Sequence, residues 1–296
     1  MSLRTIAVLS PGEMGSQVGR ALHQRGSRVI CCVAGRSDRT AERATAAGFE
    51  LLPTLDEVVQ QAELIIAVVP SLSARPLADE VASAMRRTGE HPLYVDANSI
   101  GPQTALAIAD AIEAAGGSFV DGSIIGSAGE LLEGATFYLS GARAQDVAEY
   151  LEPPLHTSIL GTEPGQASGF KVLYAGLTKG LSALGLELLA GAQRLGLTDM
   201  LLDKYRSSHP SVVRFWEHNL PGLPPRAGRR SEEMIELAET LEGLGLTGHM
   251  AQAAHICLAD LARRYRQDGA PEGLDLGGTI EWLARRMASA TPGEPG

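Results

Sequence analysis

The chain has few of the residues that build disulfide scaffolds or nucleic-acid-binding surfaces. Only three of its 296 residues are cysteine, and Cys31, Cys32 and Cys257 have neither CxxC nor zinc-site spacing. Its 25 basic residues are outnumbered by 35 acidic ones, and a formal charge of −10 argues against a general nucleic-acid binder. We therefore expect a reduced, cytoplasmic protein without a nucleic-acid partner.

Aromatic residues and long apolar runs are also scarce. Aromatic residues make up 4% of the chain, and no run of 18 apolar residues predicts a membrane span. The N-terminus passes from Arg4 directly into Thr5–Leu9, which is too short for a signal peptide with its cleavage site. The sequence therefore predicts no membrane partner, and its length and 44% hydrophobic content favour two domains with their own cores.

The first half of the chain alternates short apolar segments with helical ones. We predict strands at residues 5–10, 28–33, 50–52, 64–69, 93–96, 118–121, 136–140 and 157–160. We predict helices at residues 14–25, 40–47, 77–87 (opened by Pro76) and 103–115. Apolar strands that alternate with helices are typical of a parallel sheet covered on both faces. The predicted fold class is α/β, with an N-terminal Rossmann-type doubly wound sheet over residues 1–162.

Beyond residue 162 the pattern becomes helical. Residues 166–195 predict one long apolar interdomain helix, and a helix that is apolar nearly all round is expected to be buried. Further helices are predicted at residues 231–244, 247–267 and 276–288. We predict an all-helical C-terminal domain for substrate binding and dimerisation over residues 163–290, followed by a disordered tail at 291–296.

A glycine-containing turn joins the first predicted strand to the first predicted helix. It reads Ser10, Pro11, Gly12, Glu13, Met14, Gly15, which is the GxGxxG pattern with serine at the first glycine. Gly12 lets the backbone approach a pyrophosphate, Gly15 lets the helix pack against the strand, and the helix N-terminus offers free N–H groups. The turn therefore predicts a dinucleotide site, the alternative being a tight turn that needs glycine.

The end of the second predicted strand indicates which dinucleotide is bound. NAD-binding folds usually carry an acidic residue there, whereas this chain has Arg36, Ser37 and Arg39. Arginine forms bidentate bonds with a phosphate, so these residues favour NADP(H) over NAD(H). The alternative is an exposed basic loop. The acidic Asp38 beside these residues is the one complication, and it is a candidate cap for the next helix.

The motifs occur in an order that resembles the β-hydroxyacid dehydrogenase superfamily, which includes 6-phosphogluconate and 3-hydroxyisobutyrate dehydrogenases and imine reductases. The resemblance covers nearly the whole chain. Five segments carry it: Ser10–Gly15 (GLGxMG), Val68–Ser71 (the strand-four segment beside the cofactor), Asp96–Pro102 (DxSTxxP), Val120–Ser127 (VDAPVSGG) and Gly165–Lys171 (the start of the interdomain helix). The resemblance implies hydride transfer and adds Val69, Pro70 and Ser71 to the cofactor contacts.

The resemblance also implies a catalytic lysine, Lys171, one of three lysines in the chain. Burial lowers the pKa of a lysine towards neutrality, which suits a general acid/base; the alternative is a lysine that snorkels from a core helix. Asn98 and Ser99 follow a central strand and are expected to bind the substrate or the nicotinamide amide, or else to cap a helix. The remaining candidates for substrate binding are Ser123, Ile125, Gly126, Tyr174, Lys179 and His249.

The chain departs from the family pattern at several of these positions. Asn98 and Ser99 stand where the family has serine and threonine, and Ile125 replaces a serine. The asparagines that accompany the family's lysine are missing, and either Tyr174 or Lys179 is a candidate replacement. Substrate recognition is therefore expected to differ while the hydride chemistry is retained.

Other polar clusters favour structural roles. The histidines lack zinc-pair spacing, so we predict no metal site. Trp216 is expected in a core or an interface, and Arg226, Arg229 and Arg230 are either solvated or bind an anion.

The sequence predicts an NADP-dependent oxidoreductase that acts on a small hydroxy or keto substrate, with a carboxylate group expected on it. An imine reductase is the second hypothesis, although that branch usually lacks a lysine at the position of Lys171. A non-catalytic NADP-binding protein is the third. The resemblance further implies a homodimer.

Overall fold

The structure is a computed structural model that describes residues 4–269 and 273–286. The chain divides into two compact units, Met1–Val172 and Leu173–Gly296. The tail predicted at 291–296 lies outside the described residues.

The first unit is built on one eight-stranded sheet. Its strands are β1 Thr5–Leu9, β2 Arg28–Cys32, β3 Glu50–Leu52, β4 Leu64–Ala67, β5 Leu93–Asp96, β6 Ser118–Ile125, β7 Thr136–Ser140 and β8 His156–Gly161, in the order β3-β2-β1-β4-β5-β6-β7-β8. The first six strands run parallel, as predicted, but β7 is antiparallel to β6 and β8 is parallel to β7. The predicted doubly wound α/β sheet is thus confirmed, except that β7 and β8 run in the opposite direction to the first six strands.

Helices cover both faces of this sheet. They are α1 Glu13–Gln24, α2 Asp38–Ala46, α3 Leu55–Gln61, α4 Ser71–Thr88, α5 Pro102–Glu113 and α6 Ala144–Leu151. Along β1, Ile6 and Val8 pack with α1 in one apolar core, while Ala7 and Leu9 pack with α4 and α5 in another. This alternation follows from the period of two in a strand, and it explains why the strand is apolar throughout.

Helix α4 begins earlier than the sequence predicted. Pro76 was expected to open the helix, but it lies inside α4, which begins at Ser71 after Pro70. A proline at this point leaves only the carbonyl of Leu72 without its intrahelical donor. Leu72 is 86% exposed, so water can satisfy that carbonyl. A proline can therefore lie in the second turn of a helix whose first turn is exposed, and it does not reliably mark the first residue of the helix.

The long predicted helix forms as one element, α7 Gln166–Leu195. The prediction that it is buried is wrong for this chain, because only 33% of its most apolar 18-residue window is buried; Leu173 is 51% exposed and Leu177 68%. By length and composition alone α7 could cross a membrane, but one such helix is weak evidence, because core helices pass the same test. The exposed part of α7 therefore carries large apolar side chains.

The second unit is helical. After α7 come α8 Thr198–Ser208, α9 Pro210–Asn219, α10 Ala227–Gly243, α11 His249–Asp268 and α12 Leu276–Arg286. Trp216 of α9 is 2% exposed and donates a hydrogen bond from Nε1 to the carbonyl of Leu181 at 2.9 Å. It is a core residue of this unit, which agrees with the structural interpretation of the sequence.

The strand register places the start of α7 beside the end of β5. Asp96, the last residue of β5, pairs with Asp121 in β6. Asp121 pairs with Ser140, which in turn pairs with Gly161 at the end of β8. Because β7 and β8 run back along the sheet, α7 begins level with the carboxyl end of β5.

Candidate active site

The carboxyl ends of β1, β4, β5 and β6 lie side by side at one edge of the sheet. The chain winds outward from β1 through β2 to β3 and then returns to β4 on the other side of β1. Open α/β sheets bind ligands at this reversal of strand order, outside the carboxyl ends of the strands. The loops that follow these four strands therefore define the candidate site.

The turn between β1 and α1 is shaped to hold a pyrophosphate. Ser10 has φ 67°, and the carbonyl of Ser10 accepts a hydrogen bond from the Gly12 N–H at 2.7 Å. A Cβ atom at Gly15 would lie 2.6 Å from the Ser10 carbonyl oxygen, so glycine is needed there. No side chain caps α1, whose first N–H groups point out of the helix end towards an anion. The geometry fits a dinucleotide phosphate.

The loop between β2 and α2 carries the predicted 2′-phosphate residues. Arg36, Ser37 and Arg39 are all exposed, and the Ser37 hydroxyl lies 3.1 Å from the Thr40 hydroxyl. Within residues 4–269 and 273–286, neither guanidinium forms a hydrogen bond or ion pair with a protein group. Asp38, the candidate cap, is not the N-cap residue of α2: Ser37 holds that position and Asp38 is the first helical residue. Both arginines are thus available to an anion.

Val69, Pro70 and Ser71 follow β4 as expected for a cofactor-facing segment. Val69 is buried and its N–H donates to Asn98 Oδ1 at 2.5 Å. Pro70 is exposed and serves as the N-cap residue of α4, while Ser71 is partly exposed. The exposed end of this segment lies between the phosphate turn after β1 and the loop after β5.

Asn98 and Ser99 differ sharply in what they can contact. Asn98 is 2% exposed, and besides accepting from Val69 it donates from Nδ2 to Asp96 Oδ2 at 2.8 Å. The backbone N–H of Asn98 donates to Asp96 Oδ1 at 3.0 Å. Asn98 therefore ties the ends of β4 and β5 together, while Ser99 is exposed at the edge. Of the two, Ser99 is the side chain placed to meet a ligand.

Asp96 is a buried carboxyl group at the centre of this edge. Burial raises the pKa of Asp96 to about 7, an effect that the charge of Asp121 adds to. The hydrogen bonds from Asn98 and the charge of Lys171 act in the opposite direction on the same pKa. Asp96 and Asp121 were not predicted as site residues from the sequence. Each is an acidic residue at the end of a predicted apolar strand, and this position could have identified them.

The end of β6 contributes Ser123, Ile125 and Gly126. Ser123 is fully buried, and its hydroxyl has no hydrogen-bond partner among the residues that the structure describes. Ile125 is partly exposed, and Gly126 has φ 137°, with a Cβ position only 2.5 Å from Ala135 Cβ. The orphan hydroxyl of Ser123 is a polar group left available at this end of the strand.

Lys171 lies near the start of α7 and is partly exposed. Its charge lowers the pKa of Asp96, which places the amine within electrostatic reach of the end of β5. Gly169, two residues before Lys171, approaches Pro102, since a Cβ atom there would lie 3.3 Å from that proline. The start of α7 therefore lies near the segment after β5, and the catalytic role of Lys171 stays a prediction.

The other three substrate candidates belong to the second unit. Tyr174 is 55% exposed on α7, and His249 is the exposed first residue of α11. Lys179 is mostly buried and forms an ion pair with Glu233, which also lies 3.5 Å from Arg229. Burial lowers the pKa of Lys179, and the charge of Glu233 raises it. Lys179 is therefore engaged by a protein carboxylate, unlike Tyr174.

Across residues 4–269 and 273–286, no group of three His, Cys, Asp or Glu side chains is arranged to hold a metal ion. The phosphate turn, the position of the edge at the reversal of strand order and the basic loop after β2 together define a dinucleotide-binding protein.

Comparison with known proteins agrees with this class. The NAD binding domain of 6-phosphogluconate dehydrogenase matches residues 5–157, and a domain of unknown function (DUF1932) matches residues 192–261. The 3-hydroxyisobutyrate dehydrogenase of Pseudomonas aeruginosa is 26% identical over 295 residues, covering 91% of this chain and 95% of the relative.

Solved structures give the same result. A conserved hypothetical protein from Sinorhizobium meliloti 1021 has a TM-score of 0.75 and 28% identity, covering 96% of this chain and 97% of the other. An imine reductase from Bacillus cereus has a TM-score of 0.59 and 18% identity, with 96% and 99% covered, and shares the fold.

The chain belongs to the family defined by the NAD binding domain of 6-phosphogluconate dehydrogenase, within the β-hydroxyacid dehydrogenase-like superfamily. The resemblance stated from the sequence is confirmed. The protein has the nicotinamide-dinucleotide-binding fold of these dehydrogenases, followed by a helical C-terminal region.

Proposed function

We propose that the protein is an NADP(H)-dependent oxidoreductase that interconverts a hydroxyl and a carbonyl group on a small, carboxylate-bearing substrate. The observation that supports the proposal is the position of Lys171 on the start of α7, a turn that is hydrogen-bonded to Asp121 of β6 and approaches Pro102 after β5. In this proposal the lysine amine moves a proton at the substrate oxygen. The similarity to the 3-hydroxyisobutyrate dehydrogenase of Pseudomonas aeruginosa supports the same chemistry, because that relative is named for the oxidation of a hydroxy acid.

In this proposal different residues of the protein hold the cofactor, move the proton and orient the substrate. The turn Ser10–Gly15 binds the pyrophosphate and Arg36 and Arg39 bind the 2′-phosphate; the nicotinamide, when bound, accepts or supplies the hydride. In the oxidation direction Lys171 takes the hydroxyl proton while the carbon loses hydride, and in reduction it returns that proton. Ser99, which is exposed at this edge, orients the substrate oxygen or carboxylate.

A panel assay tests this function. NADPH, NADP⁺, NADH and NAD⁺ are each offered with β-hydroxy acids, keto acids, aldehydes and cyclic imines, and the absorbance of the reduced cofactor is followed. We expect turnover of an oxygen substrate and faster turnover with NADP(H) than with NAD(H). Cofactor binding without turnover of any compound would instead support the non-catalytic protein.

An imine reductase is the second candidate, because Tyr174 and Ala175 stand where the dehydrogenases have asparagines. Turnover of a cyclic imine without turnover of any hydroxy or keto compound in the same panel would favour it.

We also propose that the protein is a cytoplasmic homodimer. The exposed apolar residues Leu173, Leu177 and Leu184 of α7 support a covered surface, since contiguous exposed apolar side chains mark interaction sites. Light scattering at micromolar concentration should give about twice the chain mass of 31.1 kDa. A monomeric mass, or recovery with the membrane fraction of the cell, would contradict this proposal.

A further inference from the structure

The first turn of α7 is held by side chains that come from the sheet and not from its own neighbours in sequence. Asp121 Oδ2 accepts hydrogen bonds from the N–H groups of Gly165 and Ser168, both at 2.9 Å. Asp121 Oδ1 accepts from the Ser168 hydroxyl at 2.5 Å. The contacts span 44 and 47 residues of sequence, so they tie the helix start to β6.

Ser140 completes this anchor from β7. Its hydroxyl donates to Asp121 Oδ2 at 3.2 Å and accepts from the N–H of Ala167 at 3.0 Å. The backbone donors of Gly165, Ala167 and Ser168 are therefore satisfied by two side chains of the sheet. A carboxylate at the N-terminus of a helix also interacts favourably with the helix dipole.

Packing fixes the same turn against α5. Cβ atoms at Gly165 and Gly169 would lie 3.4 Å and 3.3 Å from atoms of Pro102, so the glycines allow close approach. The rings of Phe170 and Tyr138 lie 4.7 Å apart. Since Pro102 begins α5 three residues after Ser99, the anchored turn lies beside the loop that carries the proposed substrate contact.

We propose that Asp121 is a positioning residue that sets the location of the Lys171 amine by anchoring the first turn of α7. Lys171 is the sixth residue of α7 and lies three residues, less than one helical turn, beyond the anchored Ser168. The inference rests on the proposed role of Lys171 in proton transfer. A displacement of about 1 Å at a reacting group can lower a rate by about 100-fold, so loss of this anchor is sufficient to disable the site.

Three variants of the full-length protein test the anchor. Asp121→Ala removes the three bonds from the turn to Asp121 and leaves the bond from Ala167 to Ser140, and we expect kcat to fall by about 100-fold. Asp121→Asn keeps a carbonyl oxygen for the backbone donors and should restore kcat to within about tenfold of the parent. Ser168→Ala removes one hydroxyl and should lower kcat by about tenfold even if Asp121→Ala does not fold. Asp110→Asn, an exposed aspartate on α5, is the matched control and should leave kcat unchanged.

A second readout does not depend on turnover. The chain has three lysines, Lys171, Lys179 and Lys204, so reductive methylation with ¹³C-formaldehyde gives a few assignable dimethylamine resonances. Asp121→Ala and Ser168→Ala should shift the Lys171 resonance and leave that of Lys204 in place. The dissociation constant for NADPH should change less than about twofold, because the phosphate turn belongs to β1 and α1.

The outcomes separate this inference from the proposed function. Unchanged kcat and an unmoved Lys171 resonance in the Asp121 and Ser168 variants would overturn the inference, even where Lys171→Ala is inactive. Equal losses of kcat, NADPH binding and thermal stability, without rescue by Asp121→Asn, would show a merely structural role and also overturn it. Full activity of Lys171→Ala would overturn the proposed function, whereas the resonance shifts would still report on the anchor.

Discussion

Replacing Lys171 with alanine should lower kcat/KM for the hydroxy or keto substrate by a factor of about 10²–10⁴, the usual contribution of a positioned acid/base. The dissociation constant for NADPH should remain within about twofold, because neither the phosphate turn nor the basic loop after β2 contains Lys171. Turnover measured by NADPH absorbance and binding measured by fluorescence titration together check both parts.

The physical reason is that the other polar groups at this edge are poorly suited to exchange a proton with a substrate. Burial raises the pKa of Asp96 to about 7, but Asp96 is fully buried and hydrogen-bonded to Asn98. Asn98 is an amide held between Val69 and Asp96, and Ser99 is a hydroxyl with a high pKa. Lys171→Arg keeps the positive charge but removes the ability to exchange a proton, because a guanidinium stays protonated in proteins. We expect the arginine variant to be as inactive as the alanine variant.

Lys204→Ala is the matched control, since Lys204 is exposed on α8 and makes no ion pair with any residue the structure describes. Its activity should equal that of the parent. Full turnover of oxygen substrates by Lys171→Ala would contradict the assignment, and imine turnover that survives the substitution would move the protein to the imine-reductase interpretation.

Replacing Arg36 with alanine should raise KM for NADPH by about 10–100-fold and leave KM for NADH almost unchanged. A hydrogen bond to a charged group contributes about 1.5–3 kcal/mol, which corresponds to this range. Arg36 is exposed after β2 and forms no hydrogen bond or ion pair within the described chain, so its guanidinium is available to the phosphate. The double variant Arg36→Ala, Arg39→Ala should lose more of the preference for NADPH over NADH than the single variant does.

Initial rates with the two cofactors at a fixed substrate concentration measure the preference. Arg20→Ala, an exposed arginine further along α1, is the control and should leave both KM values unchanged. An equal rise of KM for NADPH and NADH would show that Arg36 supports the loop and does not read the 2′-phosphate. No change at all would favour NAD(H) as the natural cofactor.

The strands were the most predictable part of the fold. The predicted bounds of β5 and β7 match the observed ones. Strand β5 is buried along its whole length, which leaves a nearly continuous apolar signal, whereas β7 is only partly buried. An apolar run does not indicate in which direction its strand crosses the sheet, so the opposite direction of β7 and β8 could not be predicted from it. Helices α3, α6, α8 and α9 were missed, since they are short or lie in segments with mixed patterns.

The candidate site was predictable where a local motif carries it. The phosphate turn and the basic loop after β2 are contiguous in sequence, and the structure places them as expected. The burial of Asn98 and the anchoring by Asp121 depend on partners 29 to 47 residues away, which spacing alone does not reveal. Lys179 shows the same limit, because its partner Glu233 comes from a different helix.

The left-handed backbone of Ser10 limits which residues evolution can place at the start of the phosphate turn. Among residues 4–269 and 273–286, Ser10 is the only residue other than glycine with a positive φ, at 67°. Short polar side chains tolerate this conformation at modest cost, whereas β-branched and bulky ones do not. The position therefore admits glycine, serine, asparagine and aspartate, and a β-branched residue there would strain the turn that holds the pyrophosphate.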